Sequence, residues 1–361
     1  MTFELQENVP LAPFTTLRVG GPARWFAEAR TETEIAAAAA FAEDRGVELF
    51  VLGGGSNLLV SDAGFAGLVL RVGLTGRAVR ESETAGEALL DAAAGEDWDG
   101  LVGFAVERGL AGLECLAGIP GEVGGTPVQN VGAYGQEVAD TVVEVRAFDR
   151  EARGYVALSH AECAFSYRRS VFNSVLPDGT DARGRYVVSR VTYRLARNGS
   201  PALRYADVQR YFAERGQPGG IPTLREVYDA IRVIRARKGM LAGQPGANAR
   251  SAGSFFKNPI VGAERAEAIA SALRVPAAEV PHWPAGEGRI KLPAAWLIER
   301  AGFPRGYTLG RAGISTLHTL ALVNRGGATA GEIVALRDAV RAGVESRFGV
   351  HLEQEPVLLG F

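Results

Sequence analysis

Gly253-Ser254-Phe255-Phe256, followed at once by Lys257, Asn258 and Pro259, is the stretch of this chain best equipped for chemistry. Gly253 lets the backbone approach a ligand closely or take a positive φ angle. Phe255 and Phe256 can form a dry wall, Lys257 adds a positive charge, and Asn258 offers both donors and acceptors. In that water-poor setting a rigidly held Ser254 hydroxyl can serve as a proton donor. An isolated Gly-Ser would read as an ordinary turn before a strand; the mixed character of the whole run favours chemistry.

Three other spots suggest charge chemistry. Phe165-Ser166-Tyr167-Arg168-Arg169-Ser170-Val171-Phe172 sets an arginine among aromatics, apt for two-point pairing with a carboxylate, although a surface arginine fits the pattern too. Leu352-Glu353-Gln354-Glu355-Pro356 puts Glu353 and Glu355 on one face of a terminal strand, where one is buried and functional or both are solvated. Lys238 closes a helix and is either a site residue or a helix C-terminal charge. His160, His282, His318 and His351 are scattered without metal-ligand spacing, so no metal is expected, and His318 reads as a structural histidine.

Two glycine-rich stretches suggest a large ligand. Gly53-Gly54-Gly55-Ser56-Asn57 follows a strand-like run, and successive amides there can form a nest for an anion or simply a tight turn. It is neither a Rossmann fingerprint nor a P-loop, because it opens no helix and no Gly-Lys-Ser/Thr follows. The second runs from Gly118 to Gly135 with six glycines, including Pro120, Gly121, Gly124, Gly125, Thr126, Gln129, Asn130 and Gly132, and almost no charge. So many glycines lose much entropy on ordering, which is costly for a purely structural loop. Together the two stretches suggest a dinucleotide held by backbone amides, and a cofactor that carries the hard chemistry.

The elements that must position these residues show in the patterning. Thr31 with Glu34 forms a capping box before an Ala-rich helix stopping at Gly46, and further boxes at Thr223/Glu226 and Thr329/Glu332 open helices ending near Gly239 and 347. Helices are also expected at 97–108, 263–274 and 294–301. Strands are expected at 47–52, 58–60, 67–72, 141–149, 154–158 and 185–195, with another from Ile314 to Asn324 and a last one over 351–359. Antiparallel strands alternating with separate helices predict an α+β protein of at least two domains, with a boundary near Gly199-Ser200-Pro201.

Composition is ordinary. The 361 residues are 47% apolar and 22% charged, with a net charge of -2 that gives no reason to expect nucleic acid or an anionic membrane as partner. Cys115 and Cys163 form no C-x-x-C pair and sit among apolar residues. No run approaches the roughly 18 apolar residues of a membrane helix, and the N-terminus lacks a secretory pattern, so a cytoplasmic, soluble protein is expected.

Taken in order, these segments resemble the UDP-N-acetylenolpyruvoylglucosamine reductase (MurB) family of peptidoglycan precursor synthesis. The carriers are Pro13-Phe14-Thr15-Thr16-Leu17-Arg18-Val19-Gly20-Gly21-Pro22, Leu52 to Leu59, Gly112 to Gly135, Tyr167 to Phe172, Ala252 to Pro259 and Leu352 to Glu355. Pro201-Ala202-Leu203-Arg204-Tyr205 is similar to the form of the family with an extra tyrosine loop.

The resemblance implies an α+β FAD-binding fold of the vanillyl-alcohol-oxidase/PCMH type followed by an α+β substrate-binding domain. The FAD-binding domain would cover 1–198, as subdomains of about 1–74 and 75–198 joined by the C-terminal strand 350–361. A connecting loop and helix would cover 199–239, and the substrate domain 240–349. The glycine stretches would hold FAD non-covalently. NADPH would reduce the flavin and give way to UDP-N-acetylglucosamine enolpyruvate, which receives hydride from flavin N5 and becomes UDP-N-acetylmuramate. Arg168 and Glu355 would stabilise the developing charge, Ser254 would supply the proton, and Tyr205, Lys238 and Asn258 would contact the sugar nucleotide. The alternative is an FAD-dependent oxidase of the same fold acting on a sugar or alcohol. The oligomeric state is left open.

Overall fold

The computed structural model describes residues 3–175, 179, 181–215 and 221–361. Its first unit contains β1 (Leu5–Pro10), β2 (Pro22–Ala29), α1 (Glu32–Asp44), β3 (Leu49–Leu52), β4 (Leu58–Val60) and β5 (Phe65–Val72). The sheet order is β1-β2-β5-β3, with β1 antiparallel to β2 and the β2/β5 and β3/β5 pairs parallel. The sheet of this unit is therefore mixed, and α1 makes the crossover that parallel pairing needs. The Thr31 hydroxyl accepts from Glu34 N while Glu34 accepts from Thr31 N, a reciprocal cap contributing about 1 kcal/mol. Its buried face, Ile35, Ala38, Ala39, Phe41 and Ala42, is mostly alanine, which lets the helix lie close on the sheet.

The second unit begins with β6 (Arg77–Glu81), β7 (Glu87–Ala93), α2 (Trp98–Glu107) and β8 (Leu110–Ala111). It continues with β9 (Gly132–Ala133), β10 (Gln136–Glu137), β11 (Val142–Asp149), β12 (Gly154–Ser159) and β13 (Tyr186–Arg197). The antiparallel sheet runs β12-β11-β13-β7-β6, with β8 on β13. β13 lies mid-sheet and buries Val187, Val188, Ser189, Val191, Thr192, Tyr193 and Leu195, and its Tyr193 hydroxyl reaches Thr126 Oγ1 at 3.0 Å. That bond anchors the second glycine stretch to the sheet.

The remaining chain forms α3 (Ala206–Ala213), α4 (Leu224–Arg237), β14 (Ile260–Gly262), α5 (Glu264–Leu273), β15 (Trp283–Pro284) and β16 (Arg289–Lys291). Then come α6 (Ala294–Arg300), β17 (Thr308–Leu309), β18 (Ala312–Ile314), β19 (Leu322–Asn324), α7 (Ala330–Phe348) and β20 (Val357–Leu359). The single strand expected from Ile314 to Asn324 is instead the β18/β19 hairpin. Polar side chains turn the chain there: Ser315 Oγ accepts from Leu317 N, and Asn248 Oδ1 accepts from Thr316 N. The terminal strand shortens to β20, since Pro356 has no N–H to give, and pairs in parallel with β4. α3 was not anticipated; it follows Tyr205 and buries only Val208 and Tyr211.

Apolar packing joins these parts. One core runs from β2 and α1 through the second sheet to α4. Another gathers α5, α6 and α7 with Phe255, Phe256 and Leu352, and also takes in Leu17, Val19 and Leu59 from the first unit.

Candidate active site

Arg168 sits in a short turn closed by the Ser166/Arg169 bridge, with a left-handed φ of 58°. A non-glycine residue holds that conformation only where its surroundings over-determine it. Here the guanidinium does so: Nη2 donates to Gly132 O at 2.7 Å and Nη1 to Asn130 O at 3.3 Å. Nε is buried without a hydrogen bond and faces Glu355 Oε2 at 3.6 Å, an ion pair. The charge is thus aimed by the second glycine stretch at the C-terminal segment.

Glu355 reaches the same place from the other end of the chain. Its amide donates to Phe255 O at 2.9 Å, and Asn57 Nδ2 donates to Glu355 O at 3.2 Å. Burial pushes the Glu355 carboxyl above its ordinary value, with Arg168 and Lys257 pulling less strongly the other way. Glu353 is exposed and pairs with Lys257, so the two acids divide into a solvated and a buried one. Ser254 directly precedes the Phe255 carbonyl that Glu355 uses. It is half-buried and makes no hydrogen bond among the described residues, so its hydroxyl is available to a ligand. Gly253 takes φ 70°, and Phe255 and Phe256 are fully buried behind it.

A second cluster forms around Lys238 at the end of α4. Its Nζ donates to Asp207 Oδ2 at 2.8 Å and lies 5.4 Å from the Tyr134 ring centroid; Tyr134 stacks edge-on with Tyr205 at 5.5 Å. Burial lowers the Lys238 pKa, but Tyr134 and Asp207 more than offset it, leaving the ammonium above its ordinary value. Tyr205 stays 42% exposed, open to a ligand. Asn258 stands apart from this cluster: its Oδ1 accepts from Ala294 N at 2.9 Å and caps the start of α6. His318 is a buried neutral imidazole, pushed down to about 4 chiefly by burial, and accepts from Leu320 N.

The glycine stretches abut. A Cβ on Gly54 would stand 2.7 Å from Gly121 Cα, so only glycine allows the approach, and one on Gly55 (φ 60°) would strike Phe14 O at 1.9 Å. The amides of Gly54, Gly55, Ser56 and Asn57 have no partner among the described residues. Asn57 Nδ2 donates to Gln129 Oε1 at 2.7 Å, tying both stretches to Glu355. Beside them lies a cleft of about 400 Å³ lined by Pro13, Phe14, Thr15, Thr16, Arg18, Gly53, Gly54, Arg71 and Glu122. Free amides, bare glycine backbone and few charges suit a dinucleotide's phosphates.

Not every nominated residue is free to touch a ligand. Thr126 donates its hydroxyl to Val123 O and accepts from the Tyr193 hydroxyl, and Asn130 spends its side chain on Glu137, Ser166 O and Ala139 N. The amides of Gly124 and Gly125 bond to Ala94 O and Glu122 O. Pro120, Gly121 and Gly132 can offer only backbone, and Gly132 O already serves Arg168. The missed residues are Tyr134, Asp207, Arg71 and Glu122. Of these, Glu122 left a signal, as the sole charge between Gly118 and Gly135.

Comparison with known proteins bears on the same segments. Residues 23–157 match the family model of the FAD binding domain, which places a flavin-binding unit in this part of the chain. Residues 244–359 match the UDP-N-acetylenolpyruvoylglucosamine reductase C-terminal domain. The whole chain is 46% identical to the UDP-N-acetylenolpyruvoylglucosamine reductase of Thermobifida fusca, covering 99% of it. With that of Streptomyces coelicolor it shares 48% over 98% of this chain and 90% of the relative. The crystal structure of MurB from Thermus caldophilus aligns over 99% of both chains, with 27% identity and a TM-score of 0.65. The chain belongs to the UDP-N-acetylenolpyruvoylglucosamine reductase family. FAD is its cofactor. Among the described residues no helix is long and apolar enough to cross a membrane.

Proposed function

We propose that this enzyme reduces UDP-N-acetylglucosamine enolpyruvate to UDP-N-acetylmuramate at the expense of NADPH, with Arg168, Glu355 and Ser254 as its catalytic residues. FAD, when bound, supplies the two-electron chemistry. The observation that carries the reading is the Arg168–Glu355 ion pair, drawn from distant parts of the chain, with the half-buried, unpartnered Ser254 next to Phe255, whose carbonyl accepts from the Glu355 amide.

Reduction of the vinyl bond puts negative charge on the carbon bearing the substrate carboxylate and spreads it into that carboxylate. Arg168 faces the charge with a fixed guanidinium, needing little reorganisation as it builds. Glu355, with its raised proton affinity, can stand in the acid form beside it and donate rather than repel. The Ser254 hydroxyl gives the proton that completes the saturated carbon. Gln129, bonded to Asn57, and the free amides from Gly54 to Asn57 would hold the cofactor's phosphates.

Tyr205 and Lys238 take the sugar nucleotide's diphosphate, supported by the cation and the open aromatic in one cluster. Asn258, apart from that cluster, contacts the sugar nucleotide through its remaining amide group while its Oδ1 caps the start of α6. The cofactor unit would comprise residues 1–198 with the terminal strand, and the substrate unit 240–349. The β20/β4 pairing supports that division. The test is a pair of rapid-mixing experiments, one per half-reaction, on wild type and Ser254→Ala. Slowing confined to substrate reduction supports the assignment; equal slowing of both, or none, removes Ser254 as the donor.

A further inference from the structure

Glu122 is out of place in the cradle. It is the only charged residue between Gly118 and Gly135, and its side chain is 13% exposed. Its Oε2 is buried and accepts no hydrogen bond among the described residues, while a Cβ on Gly53 would stand 3.7 Å from that atom. Oε1 lies 3.6 Å from Arg71 Nη2, but Arg71 is shared with Glu28, whose Oε2 is 3.5 Å from Nη1. Both Glu122 and Arg71 line the cleft beside Gly53 and Gly54. A carboxylate is thereby set beside amides whose geometry suits an anion.

We propose that Glu122 is a proton-linked binding residue of the cofactor cradle, whose acid form donates a hydrogen bond to a cofactor phosphate oxygen and whose carboxylate opposes binding. This rests on the reading that the cleft and the adjoining amides receive FAD. The charged groups facing Glu122 are Arg71 on β5, Glu28 on β2, Asp97 at the start of α2, and Arg18 across the cleft. The carboxyl stands raised to about 7 on balance: burial is the largest influence, Arg71 pulls the other way, and Asp97 and Glu28 add to the rise. Below that pH the acid form is already present. Above it, binding must take up a proton or meet the repulsion, so affinity falls as pH rises.

The test is titration of the full-length, flavin-depleted protein with FAD, followed by flavin fluorescence between pH 6 and 8.5. Proton uptake is measured in parallel by calorimetry in buffers of different ionisation enthalpy. Wild type should bind roughly tenfold or more weakly at pH 8.5 than at pH 6, with proton uptake at the higher pH, as one-proton linkage requires. Glu122→Gln, which keeps a donor and loses the titration, should bind with little pH dependence and take up no proton. Glu122→Ser serves the same purpose if the glutamine variant folds poorly, and the wild-type proton count needs no variant. Equal pH slopes in wild type and variant, or affinity that tightens with pH, would overturn the proposal and leave the cofactor reading standing. No FAD binding at any pH in folded wild type would overturn the cofactor reading itself.

Discussion

Arg168→Lys is the most informative substitution because it keeps the charge and removes the geometry. The guanidinium spans Gly132 O at 2.7 Å, Asn130 O at 3.3 Å and Glu355 Oε2 at 3.6 Å. A lysine ammonium on a flexible stem can satisfy at most part of that set, and cannot present two parallel N–H groups to a carboxylate. Loss of one preorganised donor at developing charge typically lowers kcat by about 10²–10³-fold, or about 2.7–4 kcal/mol. Lysine has a Cβ like arginine's, so the strain of the left-handed backbone is unchanged. The structural penalty is then the lost carbonyl contacts, about 1 kcal/mol each. Stopped-flow absorbance reads the two half-reactions separately: flavin reduction by NADPH should be essentially unchanged, and substrate reduction should fall by the stated factor. Near-normal substrate reduction in folded Arg168→Lys would refute the role given to the fixed guanidinium.

Three further outcomes are expected. Ser254→Ala should slow substrate reduction by roughly 10²-fold or more, the share of a general acid, and leave the NADPH step alone. Gly55→Ala combines φ 60° with a contact of 1.9 Å to Phe14 O, so chemical unfolding should show a loss of at least about 1–2 kcal/mol together with weaker FAD binding; an unchanged midpoint would contradict the close approach. Asp149, buried and held by Arg185 through bonds of 2.9 and 2.6 Å, has its carboxyl depressed below the unfolded value of 3.8, mainly by that pairing. Its stabilisation is therefore present above pH 3.8 and is lost as pH falls through the folded value. Asp149→Asn should cost roughly 1–3 kcal/mol at pH 7, discounted because Arg185 is partly exposed, and the difference from wild type should close in acid. A constant difference down to pH 2 would refute the pairing as its cause.

How much the sequence disclosed varies by element, and the reasons are physical. The helices opened by Thr31, Thr223 and Thr329 were legible because a capping box is local chemistry, complete within four residues. The Ile314–Asn324 hairpin was not, because its turn is fixed by Asn248, a residue far away in sequence. The glycine stretches were visible as composition. That Gly54 abuts Gly121, and that Thr126 and Asn130 turn inward, depends on tertiary packing. Alternation along the last strand put Glu353 and Glu355 on one face; only the fold divides them, exposing one beside Lys257 and burying the other beside Arg168.

The most direct test of the whole account is an anaerobic visible spectrum of the purified protein, taken alone, after NADPH, and again after UDP-N-acetylglucosamine enolpyruvate. The account predicts flavin absorbance that bleaches with NADPH and returns when the enolpyruvyl sugar nucleotide is added. Flavin that recovers with oxygen but ignores that substrate would contradict it and point to an oxidase, and a protein that takes up no flavin at all would contradict it outright.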